Sequence, residues 1–490
     1  MLPLSPAMKT RLVQQAKAEM SRGRLPQARA ALTQLAQADP ANPEHPFQLS
    51  RIAFEEGDRE ACVSHLRRAV ALAPNHAQLT QHAADRFRHF GLSDDALAAY
   101  DRLIAAGGNT LKPEADKAHY LQLLGRFDEA EKIFRRLIKR NPGQAQLYRI
   151  FLATKKLTPA DPLIPAMERL WTRKDLPDTQ RLHMGFALGK ALDETGHAEK
   201  GFACIARANA LQRAQAPYDP AAQDREFARV IAAQEGLTSP LSDGDGLSPR
   251  PVFVTGMPRS GTTLVERVIA AHGDVAAGGE LGIALKQAYR LFGAGEAMRP
   301  LAEEPAEKIR RFAERYTTLA RRDVPGDTPV ITDKSILSYL ILGLLHHALP
   351  GARVIVVRRD PRDIALSIYR NFFETGTHRY GNDLADIAHA IKRFNRTVAH
   401  WKAALTGVIH EVRYEALVAD PEPQSRALVA AAGLDWQDAC LEFYRQTDAV
   451  KTLSVSQVRQ PIYRSSAQAW TRFERELKPF FDAWGDEPWD

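Results

Sequence analysis

The chain has 490 residues, 44% of them hydrophobic and 26% charged, which is material for two or three globular domains and excludes disorder as the whole answer. It has no run of 18 uncharged apolar residues, and its start, MLPLSPAMKTRLVQQAKAEM, lacks the basic-then-apolar pattern of a secretory signal, so neither a membrane span nor secretion is expected. The net charge of +7 (66 Lys and Arg against 59 Asp and Glu) is spread without a basic tract, which argues against a dedicated nucleic-acid binder. Cys62, Cys204 and Cys440 are too widely spaced for a disulfide framework or a CxxC zinc site. A cytoplasmic home is the simplest expectation.

In chain order the first signal is a repeat. Gly23, Gly57, Gly91 and Gly125 follow one another at 34-residue intervals. Five residues after them stand Ala28, Cys62, Ala96 and Ala130, all small; seventeen after them stand Pro40, Pro74, Gly108 and Pro142. Glycine suits the turn between two antiparallel helices, a small residue lets the helices approach, and proline ends the second helix. Over residues 10–145 this pattern resembles the tetratricopeptide (TPR) repeat. Past 145 the register decays: ALDETGHAEKGFACIARANAL reads as another helix pair, yet Gly196 lies 71 residues after Gly125. A degenerate repeat or an insertion is expected between them, within a helical region spanning 8–215. The resemblance implies a concave face for another chain; packing on the second domain or on a copy of itself is the alternative.

Residues 216–250 read as a linker, a short helical stretch followed by a Ser/Asp/Gly/Pro cluster. The pattern then changes to short apolar runs, PVFVTG, TPVITD, ARVIVVRR and GVIHEVRY, separated by helical stretches. Parallel strands covered on both faces read this way, so 251–490 is expected to be an α/β domain. With its covering helices beyond residue 250, the domain is expected to be self-contained from residue 216.

PVFVTG runs into MPRSGTTLVERVIAAH, a strand, a turn and a helix with Leu264, Val265, Val268 and Ile269 on one face. Such a turn offers backbone N–H groups and a helix N-terminus to a phosphate. Gly256 and Gly261 have the spacing of an ATP-binding loop, but Thr262 and Thr263 follow where that loop has Lys and then Ser or Thr. The loop's cation is instead Arg259. PRSGTTL after a strand resembles the 5′-phosphosulfate loop of sulfotransferases that use 3′-phosphoadenosine 5′-phosphosulfate (PAPS), which implies that Arg259, Ser260, Gly261, Thr262 and Thr263 bind that group. A hundred residues on, ARVIVVRRDPRDIALSIYR ends a strand in Arg358 and Arg359, with Asp360 and Pro361 placed to open a helix. It resembles the family's 3′-phosphate motif, which implies Arg359 and Ser367 for that phosphate.

Sulfuryl transfer requires loss of a proton from the acceptor hydroxyl and positive charge at the leaving group. In GDVAAGGELG, Glu280 stands 21 residues after Arg259; the resemblance to protein-tyrosine sulfotransferases, which carry a glutamate at this spacing, implies Glu280 as general base. Gly279 and Gly282 depart from that pattern, replacing a second acid and an arginine. TPVITDKSI ends a strand at Lys334, which the resemblance implies as leaving-group stabiliser, with Arg259 beside it in the chemistry. EVRYEALVADPE resembles the strand end whose tyrosine, here Tyr414, helps hold the nucleotide. SVSQVRQPIYRSSAQAW resembles the closing loop, with Ser454 on the 3′-phosphate; Gln460 stands where relatives have Lys, so Arg459 or Arg464 would substitute. No metal is expected. His272 and the pair His346 and His347 read as packing or capping residues.

The reading is therefore a PAPS-dependent sulfotransferase, α/β with a P-loop-like parallel sheet, preceded by an all-α repeat domain. The acceptor stays open among a peptide tyrosine, a sugar and a small phenol. Two rivals are a divergent P-loop kinase, against which the missing lysine speaks, and a non-catalytic TPR adaptor, against which Glu280 and Lys334 speak.

Overall fold

The computed structural model describes residues 5–108, 110–237, 239–241, 247–445 and 468–489. They gather into two compact units, residues 1–120 with 318–325, and residues 121–317 with 326–490.

The first unit is built from helix pairs, Pro6–Ser21 with Leu25–Ala38, Glu44–Glu56 with Arg59–Leu72, and Ala77–His89 with Ser93–Ala105. Gly23, Gly57 and Gly91 each take a positive φ (71°, 92° and 71°) at the turn inside a pair, a conformation that side-chain-bearing residues resist. Ala28, Cys62 and Ala96 are buried where the paired helices meet, as their size suggests. Phe54 is clamped between two guanidinium groups, Arg86 at 3.2 Å and Arg322 at 3.7 Å from its ring centre. Beside it the buried Asp323 pairs with His89 Nε2 (2.9 Å) and accepts from Arg322 Nε (2.7 Å). Burial pushes the Asp323 carboxyl up, but these partners outweigh it and hold it at about 2.

In the second unit Gly125 has φ 78°, and Ala130 is buried on the following helix, Phe127–Arg140. Two short helices, Ala145–Leu152 and Leu163–Trp171, occupy the interval in which the repeat register is lost. The pair Asp178–Glu194 and Ala198–Gln215 then restores the geometry, with Gly196 at φ 93°. Here glycine sets the approach: a Cβ on Gly201 would stand 2.5 Å from the carbonyl oxygen of Gly189.

The sheet follows, five parallel strands in the order β2-β3-β1-β4-β5. They are β1 (Arg250–Gly256), β2 (Val275–Ala277), β3 (Val330–Asp333), β4 (Arg353–Arg358) and β5 (Ile409–Arg413). Four correspond to the apolar runs of the sequence; β2, with three residues on the sheet edge, is too short to have shown a pattern. Val252 and Val254 of β1 pack with Val265, Val268 and Ile269 of the helix Thr262–Ala270 in one buried cluster. Parallel strands all end on one side, so the loops after β1, β3 and β4 converge there.

Ahead of the sheet, within the stretch read as a linker, lies the helix Pro220–Ala232, capped by Asp219, whose carboxylate accepts from Ala222 N (3.0 Å). The helices before it are tied to the α/β layer. Asn209 Nδ2 donates to Tyr369 O (2.8 Å) and Gln212 Nε2 to Phe373 O (2.6 Å). Phe202 stacks on Tyr369 with centroids 5.3 Å apart, and Asp193 accepts from Arg370 and Arg472. These contacts run against the expectation of a catalytic unit complete from residue 216. The helix Pro361–Tyr369 ends with carbonyls that need donors, and Asn209, from before residue 216, supplies one to Tyr369 O. Among the described residues no helix is long and apolar enough to cross a membrane.

Candidate active site

The site grows from the end of β1. Gly256 leaves no room for a side chain: a Cβ would stand 2.8 Å from Val357 O and 2.7 Å from Ser260 Oγ. The chain then turns through Arg259 (φ 69°) and Gly261 (φ 102°) into the helix Thr262–Ala270. A left-handed arginine is uncommon and stores strain, which is typical of a ligand-binding turn. Ser260 is fully buried, and its Oγ has no hydrogen-bond partner among the described residues. Thr262 and Thr263 are buried in the first helical turn. At Gly261 a Cβ would stand 2.5 Å from the Tyr414 ring, so the glycine lets the loop lie against the tyrosine.

The strand-β4 segment meets this loop. Arg259 Nε donates to Ser367 Oγ (3.0 Å), and Arg359 Nη1 donates to Arg259 O (2.9 Å). Arg359 also lies 4.5 Å over the Tyr414 ring and 3.9 Å from Asp363. Arg259, Arg359, Ser367 and Tyr414, drawn from three parts of the sequence, thus form one cluster. The neighbouring arginines turn to structural partners, Arg358 to Asn395 Oδ1 (2.8 Å) and Arg362 to Asp360 (2.7 Å). Asp360 caps the helix by accepting from Arg362 N (2.8 Å), with Pro361 in its first turn, as the sequence suggested. Burial raises the Asp363 carboxyl, against the pull of Arg359 and the N–H groups of Gln468 and Trp470.

The end of β3 supplies the second part. Lys334, 1% exposed, donates to Glu280 Oε1 at 2.6 Å, while Glu280 is 47% exposed. The residues implied as base and as leaving-group stabiliser are therefore in contact. Their backbone is fixed: Lys334 N donates to Gly279 O (2.8 Å), and Gly282 N to Ser335 Oγ (2.8 Å). Gly279 and Gly282 both have positive φ (64° and 62°), so the two departures from the family pattern build the tight turn that carries Glu280.

Three contributors escaped the sequence reading. Glu266, buried in the helix Thr262–Ala270, accepts from Gly279 N (2.8 Å) and Thr332 Oγ1 (3.0 Å) and so ties that helix to the Glu280 turn. Its one signal was an acid among the apolar residues of LVERVI. Asp333, fully buried, accepts from Ser335 N (3.2 Å) and Tyr316 OH (3.2 Å); burial pushes its carboxyl up to about 6 despite those donors. His378 (φ 41°) is held by Tyr380 OH at 3.2 Å; burial lowers its pKa, while the charge of Glu280 acts the other way. It stands in an irregular segment with no periodicity to mark it. His272 is a packing residue, buried, with Nε2 2.9 Å from Asp435 O. Ser454, Arg459 and Arg464 lie outside the described residues.

Residues 251–438 match the model of the sulfotransferase family, and residues 13–77 and 115–144 match tetratricopeptide repeat models. A segment similar to the sulfotransferase family thus follows segments similar to TPR repeats. An uncharacterized protein of Aquifex aeolicus (strain VF5) is 32% identical over 377 residues, covering 74% of this chain and 49% of that protein. Protein-tyrosine sulfotransferase 1 of Danio rerio is 24% identical over 219 residues, 43% of this chain and 60% of the relative. The protein-tyrosine sulfotransferase of Drosophila melanogaster is 25% identical over 276 residues, 49% of this chain and 52% of the relative. The chain thus spans between 49% and 60% of these relatives' lengths. Among solved structures, the sulfotransferase domain of the Synechococcus PCC 7002 olefin synthase is similar at 21% identity and TM-score 0.35, covering 48% of this chain and 90% of that one.

Proposed function

We propose that the protein transfers a sulfuryl group from PAPS to an acceptor hydroxyl, and that its repeats dock the acceptor or a protein partner. The observation that supports this reading best is the joining of the two anion motifs, through Arg259 Nε to Ser367 Oγ and Arg359 Nη1 to Arg259 O. A donor with phosphates at both ends of an adenosine needs two such motifs side by side. The loop residues fit its anionic end: Ser260 Oγ is a buried hydroxyl without a partner among the described residues, and Gly256 and Gly261 admit no side chain that would crowd it.

On this reading Arg259 and Ser260, with the N–H groups of Gly261, Thr262 and Thr263, hold the 5′-phosphosulfate. Arg359 and Ser367 hold the 3′-phosphate, and Tyr414 supports the nucleotide beneath Arg359. The bound donor supplies the sulfuryl group and carries away the negative charge of its departing phosphate. Glu280 takes the acceptor's proton, and Lys334 presents positive charge where the leaving oxygen becomes negative. Because the two share a 2.6 Å hydrogen bond, each positions the other. Cytoplasmic location belongs to the same reading, since Cys62, Cys204 and Cys440 are free and buried.

Incubating the full chain with radiolabelled PAPS and fractionated cell extract tests the proposal. Label should pass to a discrete acceptor fraction and fail to do so with Glu280→Gln. Absence of transfer to any fraction, together with absence of PAPS binding, would contradict it.

A further inference from the structure

A cavity of about 600 Å³ is lined in part by close sequence neighbours of the proposed catalytic residues. Three parts of its lining come from the site itself. Met257 and Pro258 belong to the phosphate loop, Ile336 and Leu337 follow closely after Lys334, and His378 comes from the irregular segment after the helix Pro361–Tyr369.

Another wall comes from outside the family-matched segment. Tyr218, Ala222, Gln223 and Phe227 line the cavity from the helix Pro220–Ala232 and the turn before it. This wall is held in place by Arg393, 6% exposed, which lies 4.1 Å over the Phe227 ring and donates to Tyr218 OH (2.8 Å). Phe227 in turn meets the Tyr339 ring edge-on at 6.3 Å. This wall is therefore aromatic and fixed by buried contacts, while Asp219, Glu226, Glu296 and Arg379 add polar groups to the lining. The lining also contains Leu337, whose 38% exposure makes it one of three large hydrophobic side chains left exposed among the described residues. Apolar surface kept open beside an aromatic wall is surface available to a ligand.

We infer that this cavity is the acceptor site, that its ligand is a small hydroxyl compound with an apolar, ring-containing body, and that residues 217–227 select it. The inference rests on the sulfotransferase reading and deepens it. The volume lies within the range of about 300–1,000 Å³ typical of small-molecule sites. Acceptor choice is then encoded in a helix ahead of the sulfotransferase-family segment.

The test is calorimetric binding of 2-naphthol to the full chain, with and without adenosine 3′,5′-bisphosphate. Glucosamine and a tyrosine-containing peptide serve as the competing classes. Ala222→Trp narrows the cavity, and Leu337→Asp, at an exposed position, makes it polar without a folding risk. Saturable naphthol binding is expected, weakened at least tenfold in both variants, with bisphosphate affinity unchanged. No saturable binding, equal binding in the variants, or variant-sensitive binding of the peptide or glucosamine in preference to naphthol would overturn the inference while leaving the nucleotide site intact. Failure of the bisphosphate itself to bind would instead overturn the sulfotransferase reading, and with it the cavity's role as acceptor site.

Discussion

Two buried aspartates show how differently the two units use charge. In the repeat unit Asp323 meets His89 and a fork of Arg322, and its carboxyl sits at about 2. In the second unit Asp333, at the end of the strand that delivers Lys334, meets hydroxyl and backbone donors, and its carboxyl sits at about 6. The repeat closes its electrostatics and gains stability. Asp333 instead shapes the turn that carries Lys334, at the cost of an unfavourable carboxylate, the trade often made where function constrains structure.

The largest effect that sharpens this contrast is on turnover. Glu280→Gln keeps an oxygen acceptor for Lys334 Nζ but cannot take a proton. Sulfuryl transfer should fall by roughly two to four orders of magnitude with nucleotide affinity retained. Steady-state kinetics alongside nucleotide calorimetry check this; near-normal turnover would move the base elsewhere.

Next comes opposite pH behaviour. The folded pKa of Asp333 is raised, so its ionisation costs stability above about 6, and the cost is relieved as pH falls from about 7 toward 4. The folded pKa of Asp323 is lowered, so its contribution is present above about 4 and is lost as pH falls toward 2. Each shift of about two units corresponds to roughly 2–3 kcal/mol. In chemical denaturation between pH 8 and 4, Asp333→Asn should remove part of the acid-side gain, and Asp323→Asn should lower stability throughout. Identical pH profiles for both variants would break the comparison.

A smaller effect concerns backbone shape. Gly261→Ala sets a side chain at φ 102° and against the Tyr414 ring. It should cost about 1–2 kcal/mol of stability and weaken nucleotide binding, because the loop must shift. Gly91→Ala, with φ 71° but nothing within 4 Å of the added Cβ, should cost stability alone.

The same contrast explains what the sequence could show. Gly23, Gly57, Gly91 and Gly125 stood out because each repeat poses the same steric problem at the same offset, and Ala28, Cys62 and Ala96 answered it alike. Arg259, Lys334 and Arg359 could be singled out because each follows an apolar run in a segment that resembles a motif of the sulfotransferase family. Glu266 and Asp333 could not, since their partners, Gly279 N, Thr332 Oγ1 and Tyr316 OH, come from other elements and leave no local period. The bond from Asn209 to Tyr369 O joins residues 160 apart, and no local pattern announces it. For that reason a fragment beginning at Ala216 should be less stable than one retaining the helices Asp178–Glu194 and Ala198–Gln215, as thermal melting of the two would show.

The central claim is that two anion motifs form one nucleotide site, and it is tested most directly by calorimetric titration of the full chain with adenosine 3′,5′-bisphosphate and with AMP. Losing a charge-assisted contact costs about 1.5–3 kcal/mol. The bisphosphate should therefore bind more tightly than AMP by at least about tenfold, and Arg359→Ala should bring the two together. Equal affinity for both ligands in the unmutated protein would contradict the account.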